Sequence, residues 1–239
     1  MYRIIIFVAI IFFWASARGT GDDLFFTAGT VSWHQRFAKI DYGHEVTVEK
    51  KRNSLRTQGI IIGKNFPFFL KMRLTLPLVF EYGKVRDDLF KQVPLQIGDT
   101  TDLAHNSRMY HIGMIPHIQF PYRGFSKVVW PVLSLGGGVH YVLFSEELRP
   151  VDSHSRLTII DEYLDEDSKN IVFSVSGGGG IEFKPGKSVL FSLSYFFRFW
   201  EPVRRGSDRG YYPYRKIPYT ERFLSHSIVF SVMMPGTNR

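Results

Sequence analysis

The sequence predicts an all-β fold, an eight-stranded antiparallel up-and-down transmembrane β-barrel, and three observations carry that prediction. First, Leu70 to Tyr82 alternates without a slip. Leu70, Met72, Leu74, Leu76, Leu78, Phe80 and Tyr82 fall on one side, and Lys71, Arg73, Thr75 and Glu81 on the other, because successive side chains of a strand point to opposite faces. This run exceeds the roughly 5–6 residues of a typical strand and reaches the about 9–11 that a tilted strand needs to cross a bilayer. Second, eight such runs are joined by connections that are alternately short and long and polar, as expected of periplasmic turns and extracellular loops. Third, no stretch of the chain is apolar for the roughly 20 residues of a spanning helix. A closed barrel is the other structure that satisfies its backbone hydrogen bonds in lipid.

The chain has 239 residues, a net charge of +8, 44% hydrophobic and 16% aromatic residues, and no cysteine. That length suits one β-barrel domain. The lack of cysteine excludes a disulfide scaffold and thiolate metal sites. At the N-terminus, Arg3, the apolar run Ile4 to Trp14 and Ala15-Ser16-Ala17 form the basic, apolar and A-x-A parts of a signal peptide. Residues 1–17 are therefore expected to be removed, leaving 18–239 as the barrel domain.

Strand by strand, the expected spans are 24–33, 57–64, 70–82, 108–120, 127–145, 170–183, 188–200 and 220–234. The first places Ala28, Thr30 and Ser32 on its small, polar side. The second holds Gly59-Ile60-Ile61-Ile62-Gly63 and leads through a short connection into the third. In the fourth, Tyr110, Ile112, Met114, Ile118 and Phe120 oppose His111, Gly113, His117 and Gln119. The fifth sets Val129, Leu133, Leu135, Val139, Tyr141 and Leu143 against Ser134, Gly136, Gly138 and His140. The sixth sets Ile171, Phe173, Val175, Ile181 and Phe183 against Ser174, Ser176, Gly178, Gly180 and Glu182. Lys184-Pro185-Gly186-Lys187 is a turn, with proline pre-set for its first central position and glycine suited to the second. The seventh alternates Val189, Phe191, Leu193, Tyr195, Phe197 and Phe199 with Ser192, Ser194 and Arg198. The last sets Leu224, Ile228, Phe230 and Val232 against Ser225, Ser227 and Ser231. The segments 34–56, 83–107, 146–169 and 201–219 are expected to be loops.

Ser174 to Phe199 resembles the outer-membrane β-barrel family of opacity-type and small porin-like proteins. The resemblance rests on the Gly177 to Gly180 cluster, Ile181-Glu182-Phe183, the Lys184 to Lys187 turn and Tyr195-Phe196-Phe197-Arg198-Phe199. Gly136-Gly137-Gly138-Val139-His140-Tyr141 is similar to that family's preceding hairpin strand. The resemblance implies membrane anchoring with variable surface loops, and in some relatives adhesion to host molecules. Such proteins usually end on an aromatic residue used by the barrel-assembly machinery, whereas this chain runs past Phe230 to Arg239.

Lys71, Arg73, Glu81, Glu182 and Arg198 all fall on the expected inner faces, where side chains of a small barrel fill the interior. Lys71 and Arg73 are expected to pair with Glu182 in the periplasmic half, and Glu81 with Arg198 in the outer half. His111, His117 and His140 also point inward, as core histidines; nothing in their spacing requires a metal site, and no cofactor is expected. For catalysis, His105 and Ser107 share a side near Asp102, but on the inner or loop side. His226 and Ser227 point apart, and Asp152-Ser153-His154-Ser155 lies in a loop, so no catalytic site is expected.

Loop charge is uneven. Arg36, Lys39, Lys50, Lys51, Arg52 and Arg56 fall in the first loop. Arg204, Arg205, Arg209, Arg215 and Lys216 fall in the fourth among tyrosines, and the third is acidic. The basic segments suit an anionic lipopolysaccharide or polysaccharide rather than nucleic acid, which an exported barrel rarely meets, or equally are solvated loops that balance the acidic one across the barrel mouth. The sequence thus points to a monomeric structural or surface-interaction protein, with a narrow channel and a lipid-modifying enzyme as alternatives. A soluble ligand-binding barrel of the lipocalin type would show the same alternation with its apolar face inward.

Overall fold

The computed structural model describes residues 24–41, 47–69, 72–94, 100–124, 126–150, 166–186, 189–205 and 219–235. Among these lie ten β-strands: β1 (Leu24–Asp41), β2 (Thr47–Pro67), β3 (Arg73–Pro94), β4 (Thr100–Met114), β5 (His117–Pro121), β6 (Val129–Pro150), β7 (Glu166–Phe183), β8 (Leu190–Trp200), β9 (Val203–Arg205) and β10 (Tyr219–Pro235). All neighbours are antiparallel, in the order β1-β2-β3-β4-β6-β7-β8-β10, and β1 pairs back onto β10 to close the sheet. β5 continues β4 between β3 and β6, and β9 continues β8 beside β10. The ten strands thus make the eight staves of a closed up-and-down barrel, which leaves no free edge.

Consecutive residues show which face is outside. Phe80 and Tyr82 are 40% and 42% exposed while Glu81 between them is 6%; Val175 is 69% exposed and Ser176 3%. An outward band of Ile60, Ile62, Leu133, Leu135, Phe173, Leu193, Phe199 and Phe230 encircles the wall, and the Tyr82 and Tyr110 rings sit side by side, tilted, with centroids 5.0 Å apart. The apolar face is outermost, so the soluble lipocalin-type reading is overturned. No helix among the described residues is long and apolar enough to cross a membrane.

Several staves are longer than the sequence suggested. β1 and β2 run through most of the segment expected as the first loop, and β3 and β4 through most of the second. The reason is an inversion of the pattern. At the end that bears the long connections, hereafter the loop end, outward positions such as Arg56, Lys84, Arg204 and Arg222 are exposed and polar. Their inward neighbours Leu55, Val85, Val203 and Phe223 are apolar and pack together.

The fourth stave is interrupted at Ile115-Pro116, where proline has no N–H for the ladder. Pro77 of β3 faces the same gap, since Leu78 pairs with Met114 and Thr75 with His117. Two bonds span the interruption, Ile115 N–H to the Pro77 carbonyl and Gly137 N–H to the Pro116 carbonyl, each 3.2 Å. At the seventh stave the Asn170 side chain replaces a ladder rung: its amide donates to the Arg204 carbonyl at 2.9 Å and accepts from Arg204 N–H at 3.1 Å.

Candidate functional site

The interior is organised around Glu81, which β3 aims inward at a point where β2 carries Gly59. A Cβ at Gly59 would lie 2.8 Å from Glu81 Cγ, so the missing side chain makes the room. Three hydrogen-bond chains end on this carboxylate. In the first, Ser174 Oγ lies 2.6 Å from His140 Nε2, His140 Nδ1 2.7 Å from His111 Nε2, and His111 Nδ1 3.0 Å from Glu81 Oε2. In the second, Trp200 Nε1–H donates to Ser225 Oγ at 2.6 Å, Ser225 Oγ lies 2.6 Å from His34 Nδ1, and His34 Nε2 lies 2.8 Å from Thr57 Oγ1. Thr57 closes that chain on Glu81 Oε2 through its longest link, 3.5 Å. In the third, Ser227 and Ser32 hydroxyls are 2.8 Å apart and Ser32 donates to Glu81 Oε1 at 2.7 Å.

One proton arrangement satisfies every link. An ionised carboxylate only accepts, and a neutral imidazole donates from one nitrogen and accepts at the other. Each histidine can therefore pass the donor direction toward Glu81. Such chains polarise one another in a low-dielectric interior. Together the chains draw on all eight staves: His34 and Ser32 on β1, Thr57 on β2, Glu81 on β3, His111 on β4, His140 on β6, Ser174 on β7, Trp200 on β8, and Ser225 and Ser227 on β10. We call this ring of side chains the belt. It runs around the barrel rather than along it.

Gly113 lies between the two central histidines, where a Cβ would meet His140 Nδ1 at 2.5 Å and His111 Nε2 at 2.7 Å. The Trp200 ring caps the belt, with centroids 4.4 Å from His140 and 5.1 Å from His111. On the loop side, Leu55, Met109, Val142, Phe144, Val172, Val203 and Phe223 form a buried apolar plug, and the Phe144 and Phe223 rings stack at 5.6 Å. Within that half, Arg36 and Glu221 make a fully buried ion pair, Nε to Oε1 at 2.9 Å and Nη2 to Oε2 at 3.1 Å.

Toward the short turns, Glu182 accepts from Arg73 Nη2 and from Trp130 Nε1, the latter at 2.8 Å. Arg73 and Glu182 thus meet, while Lys71 lies outside the described residues. Glu81 and Arg198 do not form the expected pair: no ion pair joins them, because Glu81 is occupied by the belt and Arg198 lies over the Trp200 ring at 5.4 Å. Sequence alternation gives the face of a residue but not its depth in a tilted barrel, and depth decided this pairing. Arg36, expected in a loop, is instead buried on β1. His111 and His140 meet, while His117 bonds separately to Ser176 at 2.9 Å. Arg204 is exposed on β9 and the Arg205 backbone pairs with Tyr219; Arg209, Arg215 and Lys216 lie outside the described residues.

His34, Arg36, Thr57, Trp200 and Glu221 were missed as interior groups. The signal was available on β1, where Ala28, Thr30, Ser32, His34 and Arg36 continue one inward face. Among the described residues no group of three or more histidine or acidic side chains could hold a metal ion. Ser174 and His140 have the order of a nucleophile and base, but Ser174 is buried and is not among the residues lining the turn-side cavity. Ser107, weighed with His105 as a catalytic pair, is also buried inside; the side chains of His105 and Asp102 are outside the described set, as is the segment 152–155.

No protein-family model matches the chain, and no curated protein matches it. Among solved structures, the outer membrane protein OprG from Pseudomonas aeruginosa is similar at 12% identity and TM-score 0.57, covering 90% of this chain and 97% of that one. Neisserial surface protein A is similar at 13% identity and TM-score 0.39, covering 89% and 97%. AlkL, solved by solid-state NMR in lipid bilayers, is similar at 12% identity and TM-score 0.43, covering 93% and 95%. The likeness to OprG bears on the fold: this chain has the fold of a small bacterial outer-membrane β-barrel.

Proposed function

We propose that the protein is a sealed, monomeric outer-membrane barrel that acts as a structural or surface-interaction protein through its loop end. The observation that carries this reading is the belt with the apolar plug above it. A hydrogen-bonded ring from every stave, backed by stacked phenylalanines, suits a rigid scaffold for loops better than a conduit. In this reading residues 1–17 are the signal peptide and the barrel-assembly machinery inserts the mature chain.

Lipopolysaccharide is the lipid partner. Its phosphates suit the outward cations just beyond the aromatic rim, where Lys84 and Arg108 are cross-strand partners and Arg56, Arg204 and Arg222 are exposed. Arg204, Arg205, Arg209, Arg215 and Lys216 take an anionic surface ligand. A narrow channel for small solutes is the second reading, favoured by a cavity on the turn side of the belt; it requires the belt to open.

Protease added to intact cells tests the surface reading, combined with outer-membrane fractionation and gel mobility before and after boiling. Cleavage confined to residues 42–46, 95–99, 151–165 or 206–218, with a heat-modifiable core left in the outer membrane, supports it. A soluble chain, or one that protease does not reach on cells, contradicts it.

A further inference from the structure

On the turn side of the belt the interior opens into a cavity of about 60 Å³, several times the roughly 10–15 Å³ that one water requires. Arg198 lines it and is only 5% exposed, yet its Nε and Nη1 have no hydrogen-bond partner. Among the described residues, the buried carboxylates are committed elsewhere: Glu81 to Ser32 and His111, Glu182 to Arg73 and Trp130, and Glu221 to Arg36. Among the described residues, no Asp or Glu lines the cavity. A guanidinium keeps its charge; the Trp200 ring lies against its face at 5.4 Å and Glu81 acts on it through space without an ion pair, so two donors of a buried charge still lack acceptors, which is costly.

We propose that this cavity is a binding site for a small inorganic anion of the halide class, held by Arg198 Nε–H and Nη1–H. Thr75 Oγ1, also buried and unpaired on the cavity wall, adds a hydroxyl donor. The unpaired amide oxygens of Asn65 and Gln119 on the same wall accept from the water that fills the remaining volume. The volume admits an ion of halide size with a few waters and excludes a sugar phosphate or nucleotide. Because the belt and plug close the loop side, the ion is a resident counter-charge of the sealed barrel. The site does not depend on what the loops bind.

The test is a crystal structure of the refolded wild-type barrel grown in bromide, read by anomalous scattering. A bromide peak inside the cavity at hydrogen-bond distance from the Arg198 guanidinium is expected. Density there without an anomalous signal would mean water alone and overturn the proposal. A second measurement compares unfolding midpoints in sodium bromide and in sodium gluconate, whose anion is too large to enter, at equal ionic strength. Wild type should have the higher midpoint in bromide, and Arg198→Gln should lose that difference. If Arg198→Gln does not refold, Thr75→Val keeps the charge and should retain the bromide peak at lower occupancy with a smaller midpoint difference. Equal midpoints for wild type in the two salts would count against the site.

Discussion

The two halves of the interior, divided at Glu81, solve the same packing problem in different ways. On the loop side the wall turns apolar residues inward and polar ones outward, and a buried charge pair, Arg36 with Glu221, is bidentate. On the turn side, beneath an apolar outer band, the inward face is mixed: buried Ala28, Ile61, Val79, Ile115 and Val229, and buried Trp130, Val132, Leu190 and Met233, stand among buried serines, threonines and the Arg73–Glu182 pair, and a cavity is left beside Arg198, two of whose N–H groups have no hydrogen-bond partner. The belt joins the two regimes. A wall that crosses lipid must keep an apolar outer face, so its interior can mix apolar clusters with hydrogen bonds and ions. A wall that rises into water is free to build an ordinary hydrophobic core.

Substitutions on either side of the belt separate the two halves, and urea unfolding of the refolded barrel in lipid vesicles measures each. Glu81→Ala should have the largest effect, lowering stability by about 3–5 kcal/mol, because it strands the donors of three chains at once. A loss below about 1 kcal/mol would mean that the chains end elsewhere. Trp130→Phe removes only the indole donor to Glu182 and should cost about 1.5–3 kcal/mol, the range for a hydrogen bond to a charged group. Gly113→Ala forces the His111 and His140 rings apart and should cost about 1–3 kcal/mol by overpacking. If it were neutral, the two histidines would not be held at contact distance. Arg198→Met should have the smallest effect, within about 1 kcal/mol in halide-free buffer or slightly stabilising, since it removes a buried charge that has no ion-pair partner and gives up only its contact with the Trp200 ring. A loss as large as that of Glu81→Ala would erase the distinction between the two halves.

The part of the fold legible in the sequence was the part that crosses the apolar band. There one face is uniformly apolar, and a one-residue slip would turn it inward, so Leu74, Leu76, Leu78, Phe80 and Tyr82 declare both strand and face. Beyond Tyr82 the outward positions become polar, as at Lys84, and a stave with apolar residues inside reads as a loop. Residues 34–41 and 47–56 were lost for that reason, although the inward series through His34 and Arg36 was visible. Arg73 with Glu182 could be matched because both lie near short turns at one end. Glu81 with Arg198 could not, because strand tilt and stagger set relative depth and neither is written in the alternation. The belt was missed for a further reason: it needs Gly59 and Gly113 on the staves beside its largest members, and a glycine in a strand signals close approach without naming what approaches.

A belt drawn from all eight staves closes the barrel, and planar-bilayer conductance of the purified, refolded protein is the direct check. The wild-type protein should leave the membrane quiet at moderate voltage, with conductance steps emerging only when the closure is cut away, as in Trp200→Ala combined with Phe144→Ala. Steady single-channel conductance from the wild-type protein would contradict it and establish a path through the belt.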